Sequence, residues 1–234
     1  MFMITVENCH AVNKSTIKRE RLEGLAMTQQ ITVFGANGRV GRRVVAELLQ
    51  RGDRVVAFVH SKTDLTPSNR LQIVSGDIYS PADVERALTG SRVVVSALGS
   101  WGTPRKDILT VGMTHIIPAM KRAGSATIVS LTGADARAPG DTFGIVHRLM
   151  HALLMVIVPK IMIDGEQHIA LLAKSNLDWT VIRSPVMRSG NSGQYVLTQK
   201  RPLPWRTVAY DTVALAIVNS TQDRTWAKAA PYIH

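Results

Sequence analysis

The run Gly35-Ala36-Asn37-Gly38-Arg39-Val40-Gly41 constrains the fold more than any other part of the chain. It follows a short apolar stretch, residues 31–34, with the composition of a buried strand. It leads into residues 40–50, which have helical periodicity and stop at Arg51-Gly52. A strand, a glycine-spaced turn and a helix in direct succession give the glycines a mechanism. Gly35 allows a tight turn, Gly38 lets backbone approach a pyrophosphate with no Cβ in the way, and Gly41 lets helix pack closely on sheet. The N–H groups and positive dipole at the start of that helix then face phosphate. Purely structural turn glycines would lack this context.

Strand and helix patterns alternate from there on, which predicts a parallel sheet covered on both faces. Residues 54–59 and 71–74 read as strands, followed by a helix over 81–88 with Ser80 as its N-cap and Pro81 in its first turn. Residues 92–97 are apolar enough for a central strand. A helix over 107–123 ends before Gly124, with Pro118 a potential kink. A strand over 126–131, helices near 143–158 and 160–175, and a strand over 179–183 complete the regular part. The pattern then weakens to a strand near 195–198, a helix near 210–220 and a short terminal segment. Residues 27–234 are expected to form one dinucleotide-binding domain, with substrate-side elements from about residue 135. Residues 1–26, polar and mixed in charge, read as a dispensable extension.

The formal net charge is +11, but the basic residues are scattered and not interleaved with aromatics. Nucleic acid is therefore not the expected partner, and a phosphate-rich cofactor suits the field equally well. A single cysteine, Cys9, leaves no internal disulfide framework and fits a reducing cytoplasm, the expected location. The most apolar stretch, residues 149–158, is about half the ~20 residues a membrane span requires. It is expected to line a substrate pocket or lid, or else to form a buried helix or a dimer contact. His147 and His151 share a helical face without partner ligands, so no metal site is expected.

Cofactor choice turns on the end of the second strand, where an Asp or Glu would hold the ribose 2′-hydroxyl of NAD. The chain has Val59-His60-Ser61-Lys62 there, with no acid before Asp64. A 2′-phosphate would be attracted by Lys62, by His60 and Ser61, and by Arg39 from the glycine loop. NADP(H) is the preferred cofactor, with NAD(H) an open alternative. Asp77 and Ile78 follow the third strand, where a carboxylate can accept from the adenine amino group and Ile78 can pack on the ring. Ala97, Leu98 and Gly99 follow the fourth strand, where small residues leave room for the cofactor. All these residues fall at carboxyl ends of successive strands, where open α/β sheets bind ligands.

Gly35-x-x-Gly38-x-x-Gly41, Gly76-Asp77, Ser96-Ala97-Leu98-Gly99 and Leu177-Asp178-Trp179-Thr180-Val181-Ile182-Arg183-Ser184-Pro185 recur in an order that resembles atypical short-chain dehydrogenase/reductases. The likeness is to those with an NAD(P)H-binding, NmrA-like domain, the group that includes biliverdin/flavin reductases, and it covers about residues 29–220. It implies a Rossmann-type doubly wound parallel sheet with a small C-terminal substrate-side extension. The cofactor would lie across Gly35, Asn37, Gly38, Arg39, Val40 and Gly41, reach the strand ends already named, and meet Pro185. Ser184 interrupts the family's usual Arg-Pro.

Active short-chain dehydrogenases carry a Tyr-x-x-x-Lys pair on the helix before the sixth strand. Here that helix reads Lys160-Ile161-Met162-Ile163-Asp164-Gly165-Glu166-Gln167-His168, without tyrosine. The expected chemistry is hydride transfer to a small aromatic or quinone-like acceptor such as a flavin, which needs little acid catalysis. Ser130 and Thr132 stand in the neighbourhood of the family's active-site serine, and His168 is a candidate proton donor, or else a partly exposed helix histidine. The alternative is a non-catalytic NAD(P)H-binding sensor or regulatory protein. The sequence leaves oligomeric state open.

Overall fold

A computed structural model describes residues 29–142, 144–191 and 193–234, so the expected N-terminal extension lies outside the described residues. In chain order the elements begin β1 (Gln30–Phe34), α1 (Arg39–Gln50), β2 (Arg54–Val59), β3 (Leu71–Ser75), α2 (Pro81–Leu88) and β4 (Val93–Ser96). They continue α3 (Ile108–Ala123), β5 (Thr127–Gly133), α4 (Ile145–Ile157), α5 (Pro159–Lys174) and β6 (Asp178–Ser184). The last are β7 (Val186–Arg188), β8 (Leu197–Thr198), β9 (Thr207–Ala209), α6 (Tyr210–Ser220) and β10 (Tyr232–Ile233).

The main sheet has the order β3-β2-β1-β4-β5-β6-β10-β8. Every pair in it is parallel except β10 with β8. This is the doubly wound Rossmann arrangement, whose strand order reverses between β1 and β4. Alternation of buried strands with helices forces it, because right-handed crossovers must cover both faces. One apolar layer lies under α1 and α6, and a second under α2, α3 and α5. Local signals end the elements as expected: the Ser80 hydroxyl accepts from the Asp83 N–H, and Gly124 closes α3 in a left-handed conformation. Pro118 lies inside α3.

Three parts of the C-terminal third differ from the sequence reading. The strand expected over 195–198 is only Leu197–Thr198, set by its pairing with β10. The terminal segment becomes β10, which lies parallel to β6 through Tyr232 and Arg183. Val186–Arg188 and Thr207–Ala209 form a separate parallel pair. All are strands of two or three residues, too short for period-two alternation to mark.

Candidate active site

The glycine turn is held as tightly as its spacing implies. Gly35 has φ +74°, and a Cβ there would lie 2.7 Å from the Ala97 carbonyl oxygen. At Gly41 a Cβ would lie 2.1 Å from the Gly35 carbonyl oxygen. The Gly38 N–H donates to Gly35 O at 2.9 Å, and the Arg42 N–H to Gly38 O at 3.0 Å, closing the first helical turn. Ala97 N–H donates to Phe34 O at 2.9 Å, so the ends of β1 and β4 meet at the point where the strand order reverses. This bare backbone at a helix N-terminus fits the approach of a pyrophosphate.

Asn37 ties this turn to the loop after β2. Its Nδ2 donates to the Lys62 carbonyl at 3.0 Å, while its Oδ1 accepts from Arg42 Nη2 at 2.7 Å and Thr63 Oγ1 at 3.1 Å. Its side chain is thus engaged within the protein. Arg39 turns the other way: its Nη1 donates to the Tyr210 hydroxyl at 2.8 Å, and its guanidinium lies 5.7 Å from that ring. Arg42 is the arginine at the β2 end, reaching Asp64 at 3.1 Å, with His60, Ser61 and Lys62 exposed nearby in sequence. The sequence reading missed Arg42, although a residue three past Arg39 in a first helical turn faces the same loop.

Further along the sheet edge, the Asp77 carboxylate accepts the Tyr79 N–H at 3.0 Å, an Asx turn that occupies one oxygen. Ile78 is buried and packs near Gly112, as does Leu98. Gly99 has open space where a Cβ would stand. Pro185 is half-buried, its carbonyl accepting from the Ser184 hydroxyl at 3.0 Å.

The three residues singled out for catalysis lie at one place, where α5 crosses the end of β5. Thr132 is nearly buried, and a Cβ on Gly165 would lie 2.9 Å from its Oγ1. Gly165 is the position that makes room for Thr132. Ser130 Oγ lies 2.7 Å from His168 Nε2 and 3.5 Å from the Ser96 carbonyl. Both Ser130 and His168 are fully buried, which corrects the reading of His168 as a partly exposed helix histidine. Burial pulls its pKa from 6.5 down to about 3, so the ring is neutral at working pH. Its Nδ1 and the Ser96 hydroxyl are buried without a described hydrogen-bond partner.

A second buried group fixes α5 against α3. Asp164 accepts the N–H groups of Leu109 at 3.1 Å and Thr110 at 2.8 Å, and the Ser100 hydroxyl as well. It caps α3 from another helix, since the N-cap Asp107 makes no such bond itself. No local sequence pattern marks such a contact. A cavity of about 620 Å³ at the opposite edge of the sheet is lined by Arg54, Arg70 and Arg92 together with Gly52 and Gly90. The C-terminal ends of α1 and α2 border it, and a helix C-terminus is a favourable neighbour for cations.

A Rossmann sheet with a glycine turn at its switch point defines a dinucleotide-binding protein. More particularly, the chain belongs to the NAD(P)H-binding family, whose description matches residues 35–224. It is 26% identical over 223 residues to an uncharacterized chloroplastic protein of Arabidopsis thaliana, covering 88% of this chain and 77% of that one. Among solved structures it resembles a short-chain dehydrogenase/reductase of Veillonella parvula in complex with NADP. That likeness has a TM-score of 0.71 and 19% identity, over 88% of this chain and 94% of the other. An anaerobillin reductase of Escherichia coli O157:H7 matches with a TM-score of 0.70 and 16% identity, over 87% and 96%. At such identities these structures speak for the fold alone, here a Rossmann-like fold shared with NAD(P)-binding proteins.

Proposed function

We propose that the protein is an NADPH-dependent reductase that passes hydride to a flat, electron-accepting small molecule such as a flavin or quinone, without a Tyr-x-x-x-Lys dyad. The observation that carries this reading is Gly165 opposite Thr132, on a helix without tyrosine: the hydroxyl nearest the end of β5 is a threonine. Such a site orients a ring better than it protonates an alkoxide.

When bound, NADPH supplies the hydride. The backbone of Gly35, Gly38, Val40 and Gly41 receives the pyrophosphate, with Asn37 holding the turn against the loop after β2. Arg42, Lys62, His60 and Ser61 favour a 2′-phosphate, and Arg39 borders the same turn on the Tyr210 side. Asp77 and Ile78 flank the adenine end, while Ala97, Leu98, Gly99 and Pro185 leave space for the nicotinamide end. Thr132 orients the nicotinamide amide or the acceptor. Ser130 and His168 support Thr132 from within, and a buried neutral imidazole is a poor acid, so the acceptor takes its proton from water.

The test is titration of the protein with NADPH and with NADH, read by tryptophan fluorescence, followed by addition of FMN and then a simple quinone. Tighter binding of NADPH and steady oxidation on adding either acceptor are expected. Tight binding without oxidation by either would overturn the reductase reading and favour a sensor. Failure of both nucleotides to bind would overturn the site itself.

A further inference from the structure

Helix α4 is built inside out. Its exposed side chains include Ile145 (75%), Val146, Leu149 (68%), Leu153, Val156 (80%) and Ile157. At 3.6 residues per turn these occupy one continuous arc, about a third of the circumference. The opposite side turns histidines inward: His151 is buried with its Nε2 2.7 Å from Glu166 Oε1, and His147 Nε2 is out of water. No α4 residue belongs to either core layer. The sequence predicts this stretch over a pocket, in the core or at a dimer contact, and the structure keeps it out of the core. Six large aliphatic side chains on a 13-residue helix exceed the single exposed apolar residues that surfaces ordinarily carry.

Charge decides what covers the arc. From residue 142 to 163 the chain has no Asp or Glu, while Arg148 and Lys160 are exposed at its flank and end. The nearest acids are engaged within the protein, away from the aliphatic arc: Asp141 with Arg183, Asp164 with the start of α3, and Glu166 with the inward His151. A second copy would bring the same basic border and the same net charge of +11 against this one, whereas an anionic surface complements both. No single described helix is long and apolar enough to cross a membrane, and α4 bends by 117° into α5. An aliphatic arc with a basic border on a short helix suits lying in a membrane interface. We infer that α4 docks the protein on the surface of an anionic lipid bilayer, its aliphatic face entering the headgroup boundary.

The test is co-sedimentation of the full chain with vesicles of equal parts phosphatidylcholine and phosphatidylglycerol, beside vesicles of phosphatidylcholine alone. The comparison protein carries Leu149→Ser, Leu153→Ser and Val156→Ser, all on the exposed arc, so its circular dichroism and nucleotide affinity should match the wild type. Strong pelleting with the anionic vesicles, little with the neutral ones, and about a tenfold or greater loss in the triple variant are expected. Equal pelleting of both proteins would overturn the inference. So would failure to bind the anionic vesicles, whether light scattering gives a monomer or a dimer that the triple variant dissolves; the dimer would assign the arc to a second copy.

Discussion

His168 Nε2 lies 2.7 Å from Ser130 Oγ, and neither residue is in contact with solvent. The imidazole's pKa falls by burial from 6.5 to about 3, which links it to stability. Between those values the unfolded chain binds a proton that the folded chain refuses. Stability is therefore complete above about pH 6.5 and falls as pH is lowered toward 3. His168→Leu removes this proton uptake while weakening the fold at every pH through Ser130. Urea unfolding at about pH 7.5 and about pH 4.5 should show the wild type losing on the order of 2 kcal/mol more than the variant. Equal losses would mean that the ring titrates as if exposed.

The glycine turn gives a sharper contrast. In Gly41→Ala a methyl group would meet the Gly35 carbonyl, with backbone on both sides and no flexible side chain to yield. The first turn of α1 must shift, and NADPH affinity measured by calorimetry should fall at least roughly thirtyfold, since the phosphate-facing N–H groups move with it. Gly99→Ala has open space and should melt within about 2 °C of the wild type. If Gly41→Ala binds NADPH normally, the turn is not the phosphate cradle.

The regular part of the fold was legible because each of its signals is local. Ser80 and Pro81 open α2, Gly124 closes α3, and β1 to β6 are four to seven residues long, enough for their apolar positions to show. The site was legible where it is backbone, at Gly35, Gly38 and Gly41. It was less so where side chains choose between neighbours far away in sequence. Arg39 is drawn to Tyr210, 171 residues on, which leaves the β2 end to Arg42. His168 and Asp164 sit on a helix whose mixed composition hides which face is inward, since the partners Ser130 and Thr110 come from β5 and α3. The same ambiguity concealed the outward aliphatic face of α4, because a helical period tells which residues share a side but not which side meets solvent.

Arg42 offers a test of cofactor choice. It reaches across the glycine turn to Asn37 and Asp64, beside the loop that carries His60, Ser61 and Lys62. Arg42→Ala removes a guanidinium suited to a 2′-phosphate and takes away nothing that a 2′-hydroxyl needs. NADPH should bind about 10- to 100-fold more weakly, and NADH should change less than about threefold. Equal weakening of both would make Arg42 a brace for the turn through Asn37, and the discrimination would lie elsewhere.

At Asp164 one carboxylate seals three donors. Leu109 N–H, Thr110 N–H and the Ser100 hydroxyl all point at it, and it is almost wholly buried. In Asp164→Ala the start of α3 loses its cap and these donors lose their acceptor together, a cost of about 3 kcal/mol or more. For a chain of this size that lowers Tm by roughly 6–12 °C. Asp164→Asn keeps one acceptor oxygen and should fall between the two. Hydrogen exchange at the Leu109 and Thr110 amides should accelerate in the alanine variant more than exchange in β1 or β4, since the opening is local to the loop and first turn. A uniform acceleration would mean that Asp164 supports the whole sheet, and unchanged melting would mean that water replaces the carboxylate without loss.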